Sequence, residues 1–234
     1  MIILAMESSG KPASVAVMKD GALLGQYFQN SGLTHSRTLL SMTESILNNL
    51  NLSARDIDIT AVARGPGSFT GVRIGVAAAK GFAWGAGHPV CGVSALEAMA
   101  YSYKREKVVI CPVMDARRGQ VYNALFEFQD GNLQRICEDR AVSLEELSSE
   151  LMSYALPVTL MGDAADMAAE QLKNTGVIYD TAPALLRVQT AFGVALAASF
   201  SQPTDAAELE PFYLRPSQAE RELTAAVNSG GNSK

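Results

Sequence analysis

The chain has 234 residues, of which 48% are hydrophobic and 18% are charged, and its formal net charge is −5. This length suffices to bury the core of one large domain or two small ones without disulfides. The acidic balance argues against a broad phosphate-binding face of its own, because nucleic-acid affinity comes mainly from lysine and arginine.

Three short strands open the chain, at residues 2–6, 13–18 and 23–28, and Asp20-Gly21 between the last two is typical of a hairpin turn. The first strand ends at Glu7-Ser8-Ser9-Gly10, so it delivers a carboxylate and two hydroxyls to its end. A helix is predicted over 34–50 from apolar residues at helical spacing. A buried strand over 59–63 follows.

The next segment is the most distinctive, and we call residues 64–75 the glycine loop. It reads Arg64-Gly65-Pro66-Gly67-Ser68-Phe69-Thr70-Gly71-Val72-Arg73-Ile74-Gly75. Its glycines can adopt positive φ, and the helix that it opens, to about Gly85, has free amides at its start. The loop is either an anion-binding turn or a tight strand-to-helix connection. The many small residues of the helix indicate either a core position or the close approach of a partner.

The second half of the chain repeats the series of strands with which the chain opens. A strand over 108–114 ends at Asp115, and Asp130-Gly131 repeats the earlier hairpin signal, so we predict an internal duplication, with chance similarity between meanders as the alternative. The predicted fold class is α/β, with two similar domains that each open with a three-stranded antiparallel meander. The predicted limits are 1–105 for the first domain, completed by a helix and anchor over 184–216; 106–183 for the second; and 217–234 for a disordered tail.

Two such domains suggest the actin-like ATPase architecture, and here a resemblance becomes specific. The glycine loop, His35-Ser36, Asp115-Ala116-Arg117 and Phe212-Tyr213-Leu214-Arg215 resemble those of the bacterial TsaB (YeaZ) family, a shortened relative of TsaD. The resemblance implies a non-catalytic partner in making threonylcarbamoyladenosine at position 37 of tRNA. It covers nearly the whole chain to about residue 216.

The resemblance also implies partners. Helices 34–50 and 71–85 would pack against the equivalent pair in TsaD, the ATPase TsaE would join, and tRNA would be contacted only through the complex. The same surface could form a homodimer when the partner is absent. The expected contact residues are His35, Ser36, Leu39, Thr43, Ile46, Gly71, Ile74, Gly75, Ala78 and Phe82. Tryptophan at Gly75 or Ala78 is expected to preserve the fold and block this association.

We expect no metal, cofactor or catalytic residue. Leu39 and Gly92 stand four residues after the two histidines, where the TsaD His-x-x-x-His pair would place a second ligand. Weak candidates for nucleotide contact are Glu7, Ser8 and Asp115. Two alternatives stay open: a free-standing actin-like ATPase or kinase, and a peptidase using Ser8, Ser9 or Ser68.

The three cysteines show no paired spacing and predict buried thiols in a reducing compartment. The N-terminus lacks the pattern of a signal peptide, and its apolar runs are shorter than the ~20 residues that span a bilayer. We therefore expect a cytoplasmic protein without a membrane segment.

Overall fold

The computed structural model describes residues 1–215, which contain two five-stranded sheets. The first sheet has the order β3-β2-β1-β4-β5 and contains β1 (Ile2–Glu7), β2 (Ala13–Lys19), β3 (Ala22–Gln29), β4 (Ile59–Ala63) and β5 (Val90–Val93). The second has the order β10-β9-β6-β7-β8 and contains β6 (Val109–Arg117), β7 (Gln120–Gln129), β8 (Asn132–Ser143), β9 (Val158–Met161) and β10 (Tyr179–Thr181). Both sheets thus follow one strand order, which agrees with an internal duplication.

The two meanders also share their pairing and their turns. β1 pairs antiparallel with β2 and parallel with β4, and β6 pairs in the same way with β7 and β9. Asp20 and Gly21 have φ values of 49° and 82°, and Asp130 and Gly131 have 52° and 81°. Positive φ at both central residues characterises the hairpin turn whose twist matches paired strands. The predicted α/β class with two meander-opened mixed sheets is confirmed.

Six α-helices cover these sheets in the described part of the chain. They are α1 (His35–Asn49), α2 (Phe69–Ala86), α3 (Ala95–Tyr101), α4 (Leu144–Leu151), α5 (Ala165–Leu172) and α6 (Ala191–Ala198), and a 3₁₀ turn spans Ala54–Asp56. Helices α1 and α2 pack on one face of the first sheet, α3 and α6 lie between the sheets, and α4 and α5 cover the second sheet. The hydrophobic core around α3 and α6 contains residues of both sheets. The two lobes, each consisting of one sheet and its helices, are therefore in direct apolar contact.

The last helix begins later than the sequence predicts. The apolar run starts at Ala184, but α6 begins at Ala191, where the Thr190 hydroxyl accepts a hydrogen bond from Gly193 N at 3.4 Å. Leu185 is 88% exposed, so the start of the run lies outside the core. Apolar composition alone does not distinguish this exposed turn from a helix.

Helix α6 lies against β1 and β2 of the first sheet. The exact domain limits stay a prediction, and Pro216 of the anchor and the predicted tail at 217–234 lie outside the described residues. Among the helices of residues 1–215, none combines the length and hydrophobicity required to cross a bilayer.

Candidate functional site

The glycine loop connects β4 to α2 and fixes the first turn of that helix. Ser68 is the N-cap, and its side-chain oxygen accepts a hydrogen bond from Gly71 N at 3.3 Å. Val72 N donates to the Ser68 carbonyl oxygen at 2.8 Å. Ser68 therefore satisfies one of the backbone donors that a helix start leaves open.

The loop packs against the turn that follows β1. Ser68 N donates to the Ser9 carbonyl oxygen at 2.7 Å. Gly67 has φ 158°, a backbone conformation that residues with a side chain rarely adopt, and a Cβ there would overlap the Ser9 carbonyl oxygen. A Cβ on Gly71 would overlap the Ser8 carbonyl oxygen. These two glycines let the chain's own first strand end come close, so the loop contacts its own fold.

On its other side the loop holds residues near the end of the described chain. Phe212 N donates to the Arg64 carbonyl oxygen at 2.7 Å, and the Tyr213 ring stacks on Phe69 with centroids 4.6 Å apart. The Arg73 guanidinium lies 4.0 Å from the Phe69 ring centroid and donates from Nε to Tyr213 Oη at 2.9 Å. Cation–π and stacking contacts of this kind hold the glycine loop and Tyr213 in a fixed relative position. The loop thus has two neighbours within the chain, one on each side.

A cleft of about 870 Å³ opens where the ends of β1 and β6 face each other. The glycine loop from Pro66 to Thr70 and the β6 end from Met114 to Arg117 form two of its walls. Four cationic and two acidic residues line it, namely Lys11, Arg73, Arg117, Arg215, Asp115 and Asp163. The cleft is therefore a polar space between the lobes with more positive than negative side chains.

Of the three weak candidates for nucleotide contact, one lies in this cleft. Asp115 lines it, whereas Glu7 and Ser8 are buried and do not. Ser8 Oγ donates to the Gly71 carbonyl oxygen at 2.9 Å, and Glu7 Oε1 accepts from Ser9 N at 2.5 Å. Both side chains therefore serve the junction between β1 and the glycine loop.

Among the described residues, Glu7 is a buried acid that no cationic side chain pairs. Burial raises the pKa of its carboxyl to about 7, although hydrogen bonds from Ser9 and Ser8 act in the opposite direction. In residues 1–215, Glu7 Oε2 and Ser9 Oγ have no hydrogen-bond partner. The carboxyl can therefore hold a proton near neutral pH, but it lies behind the cleft wall.

Asp163 is a cleft residue that is not among the site residues predicted from the sequence. Its Oδ1 accepts a hydrogen bond from Asp115 N at 3.1 Å, and burial raises the pKa of its carboxyl. It follows β9, which is parallel to β6, so the two strand ends bring Asp115 and Asp163 to one edge. The pairing of β9 with β6 is what indicates that Asp163 belongs to the cleft, and this pairing is visible only in the folded sheet.

The serines that a peptidase would use are hydrogen-bonded or buried within the fold. Ser8 and Ser68 make the hydrogen bonds described above, and Ser9 Oγ is buried.

The two histidines are hydrogen-bonded within the fold. His35 Nε2 donates to the Gly10 carbonyl oxygen at 3.0 Å, and His88 Nε2 lies 2.7 Å from Thr60 Oγ1. In residues 1–215 no three His, Cys, Asp or Glu side chains cluster in a way that could hold a metal ion.

The expected partner-contact residues divide into two groups. Leu39, Thr43, Ile46, Gly71 and Gly75 are buried within the chain. Ser36 is exposed, and His35, Ile74, Ala78 and Phe82 are half-buried. The buried members face the first sheet, because α1 packs on β2 and α2 packs on β4. Whether the other members contact a partner stays a prediction.

The expectation that tryptophan at Gly75 would preserve the fold needs correction. A Cβ on Gly75 would overlap Ser8 Oγ and would stand 3.3 Å from Val62 Cγ2. A large side chain at Gly75 would therefore disturb the contact between α2 and β1 before it could affect any partner.

The outer face of α1 and α2 carries other residues suited to contact. Trp84 is 84% exposed and Leu40 is 53% exposed. On α2, Gly81 and Gly85 have nothing within 4 Å of the place where a Cβ would stand. A groove of about 320 Å³ runs between the helices, with Leu40 and Phe82 among its lining residues. This face therefore combines large apolar side chains with places where another backbone can approach.

Comparisons with known proteins agree with this architecture. A family model described as "TsaD: tRNA N6-adenosine threonylcarbamoyltransferase" matches residues 29–229. The tRNA threonylcarbamoyladenosine biosynthesis protein TsaB of Bacillus subtilis is 31% identical over 224 residues, which cover 94% of this chain and 96% of that protein. Its Escherichia coli counterpart is 37% identical over 154 residues, covering 65% and 66%.

Two solved structures from Pseudomonas aeruginosa are similar in fold. One, an uncharacterized protein with similarity to peptidase YeaZ, matches with a TM-score of 0.77 and 24% identity over 92% of this chain and 99% of that one. The other, YeaZ, matches with a TM-score of 0.74 and 24% identity over 91% and 99%. The predicted actin-like fold is confirmed.

Proposed function

This chain belongs to the TsaB (YeaZ) family, and on that premise we propose that it is a non-catalytic partner subunit of the machinery that makes threonylcarbamoyladenosine in tRNA. Its curated relatives are named tRNA threonylcarbamoyladenosine biosynthesis proteins, and the TsaD family model matches most of the chain. These two matches suggest a role in a TsaD-containing complex. The proposed task of this chain is to bind the TsaD homologue and hold it in its active arrangement.

The observation that carries this proposal is the outer face of α1 and α2. Trp84 and Leu40 are large apolar side chains left in solvent, and aromatic residues are enriched at protein interfaces. The helices have 15 and 18 residues, so they extend about 22 and 27 Å. Two such helices can supply the roughly 800 Å² per partner of a stable interface.

The proposed lack of catalysis is supported by how the polar side chains are used. Glu7, one of the weak candidates for nucleotide contact, lies outside the cleft. The two histidines bond to Gly10 and Thr60. In this proposal the TsaD homologue performs the transfer, TsaE joins the complex, and tRNA is contacted only through the assembly. A cytoplasmic location and homodimer formation without the partner are further parts of the proposal.

Co-expression with a TsaD homologue, followed by size-exclusion chromatography, tests the proposed interface. We expect the unmodified chain to co-elute with the homologue and Gly81→Trp to elute alone. Ser149→Trp, on the exposed side of α4, adds the same side chain far from the face and should co-elute. If Gly81→Trp co-elutes as well as Ser149→Trp, the interface assignment is wrong.

The cationic lining of the cleft favours one second candidate, a nucleotide-binding ATPase or kinase. Lys11, Arg117 and Arg215 could face phosphate groups there. Isothermal titration of the purified chain with ATP and Mg²⁺ separates the candidates. Micromolar binding with sustained turnover would favour the enzyme, and its absence alongside complex formation with the TsaD homologue would favour the partner subunit.

A further inference from the structure

The last described residues cross from one lobe to the other. Residues 211–215 begin on the glycine loop, where Phe212 N bonds to Arg64 and Tyr213 stacks on Phe69. They end at the second lobe, where Arg215 Nη1 donates to the Ala116 carbonyl oxygen at 3.1 Å. Residues 212–215 all line the cleft. This short segment therefore connects the glycine loop with the end of β6.

The chain just before this segment is attached to the first lobe independently. Leu209 is buried in the core that α1 and α2 share with the first sheet. Lys80 Nζ donates to the carbonyl oxygens of Ala207 and Leu209 at 3.0 and 2.9 Å. Residues 207–209 thus have attachments to the first lobe that do not involve residues 211–215.

Elsewhere the lobes meet through a different and stronger contact. The core between the sheets joins β1 and α3 to β6 and β7, and Arg135 in β8 forms an ion pair with Glu97 in α3 at 2.9 Å. In contrast, Phe212 and Tyr213 are each 37% exposed. A contact made by half-exposed groups opens at a lower cost than a buried core, so it can open alone.

We propose that residues 211–215 act as a clasp across the cleft, holding the glycine loop and the end of β6 together, and that this clasp can release while the rest of the fold stays intact. The arrangement explains Gly65 in the loop. Gly65 has φ 124°, and a Cβ there would overlap the Phe212 carbonyl oxygen. Only glycine admits both this backbone conformation and the approach of the clasp.

Hydrogen–deuterium exchange of the full chain tests the clasp. In Arg215→Ala and Tyr213→Ala, we expect amide exchange at residues 64–72 and 114–122 to rise by roughly tenfold or more. Exchange in the core strands β1 and β4 should not change. Arg37→Ala, which removes an exposed arginine of α1 that makes none of the clasp contacts described here, should leave exchange in both cleft segments unchanged.

Three outcomes would overturn the proposal. Unchanged exchange at 114–122 in both variants would mean that the segment does not couple the lobes. A rise at 114–122 alone would mean that the segment does not hold the glycine loop. A uniform rise that includes β1 and β4, or failure of both variants to fold, would assign the segment to global stability.

Discussion

Ser8 and Gly71 lie against each other where β1 meets the glycine loop. Ser8 Oγ donates a hydrogen bond to the Gly71 carbonyl oxygen at 2.9 Å, and a Cβ on Gly71 would overlap the Ser8 carbonyl oxygen. A Cβ on Gly75, one turn further along α2, would overlap Ser8 Oγ. The glycines on the inner side of α2 therefore allow this helix to pack closely on β1. Gly81 and Gly85, on the outer side, have open space around them.

This difference predicts opposite effects of one substitution at two positions of α2. Gly71→Ala should lower the free energy of unfolding by about 2 kcal/mol, because the added methyl group displaces a backbone oxygen. Gly81→Ala should raise it by up to about 1 kcal/mol, because alanine favours the helix and meets no neighbour. Urea denaturation followed by circular dichroism measures both. Equal effects at the two positions would contradict this account of the glycines.

Gly65 and Gly119 form a second matched pair. Gly119 has φ 72° and nothing within 4 Å of the position that a Cβ would occupy, so Gly119→Ala should cost only the conformational strain, about 1 kcal/mol. Gly65→Ala adds the overlap with the Phe212 carbonyl oxygen, and we expect about 3 kcal/mol in total. Thermal unfolding compares them, and a smaller loss of stability for Gly65→Ala than for Gly119→Ala would refute the role given to the Phe212 contact.

Much of this architecture could be predicted from the sequence. The alternating strands, the Asp-Gly turns and the glycine loop sit where local pattern places them, because turn geometry and hairpin pairing depend on neighbouring residues. The sequence could not decide which neighbour an apolar face would meet. Leu39 and Ile46 form a helical stripe that fits a partner or the chain's own sheet equally well, and they pack on the sheet.

The candidate site was harder to predict because it joins residues from distant segments. Asp163 reaches the cleft only because β9 pairs beside β6, and Arg215 reaches it only because residues 207–209 return to the first lobe. Neither placement follows from local periodicity. Trp84 was visible in the sequence as one of several apolar residues of α2, but its exposure depends on the rotation of the helix on the sheet.

Glu7 predicts an unusual dependence of stability on pH. Its pKa is about 7 in the folded chain and 4.5 in the unfolded reference, so between these values the folded state binds a proton that the unfolded state releases. Stability should therefore be highest below the lower value and fall as pH rises through the higher one. The difference of pKa corresponds to about 3 kcal/mol.

Glu7→Gln isolates this effect, because glutamine keeps the acceptor for Ser9 N and cannot ionise. The variant should gain stability relative to the unmodified chain between about pH 5 and pH 8, by up to about 3 kcal/mol. Denaturant unfolding at several pH values measures the difference. Glu44→Gln, on the exposed side of α1, is the control and should show no such trend. Parallel pH profiles for Glu7→Gln and the unmodified chain would exclude a buried proton at Glu7.

Trp84 gives a direct measure of the proposed partner face. Its side chain is 84% exposed in the isolated chain, so Trp84→Ala should change the free energy of unfolding by less than about 0.5 kcal/mol. If the ring is buried against a TsaD homologue, its loss should weaken binding by about 2 kcal/mol, or roughly 30-fold in Kd. Ile178→Ala, in the second lobe, removes another largely exposed apolar side chain and should leave Kd unchanged. Isothermal titration with the homologue measures both, and equal affinities for the two variants would place the interface away from the exposed end of α2.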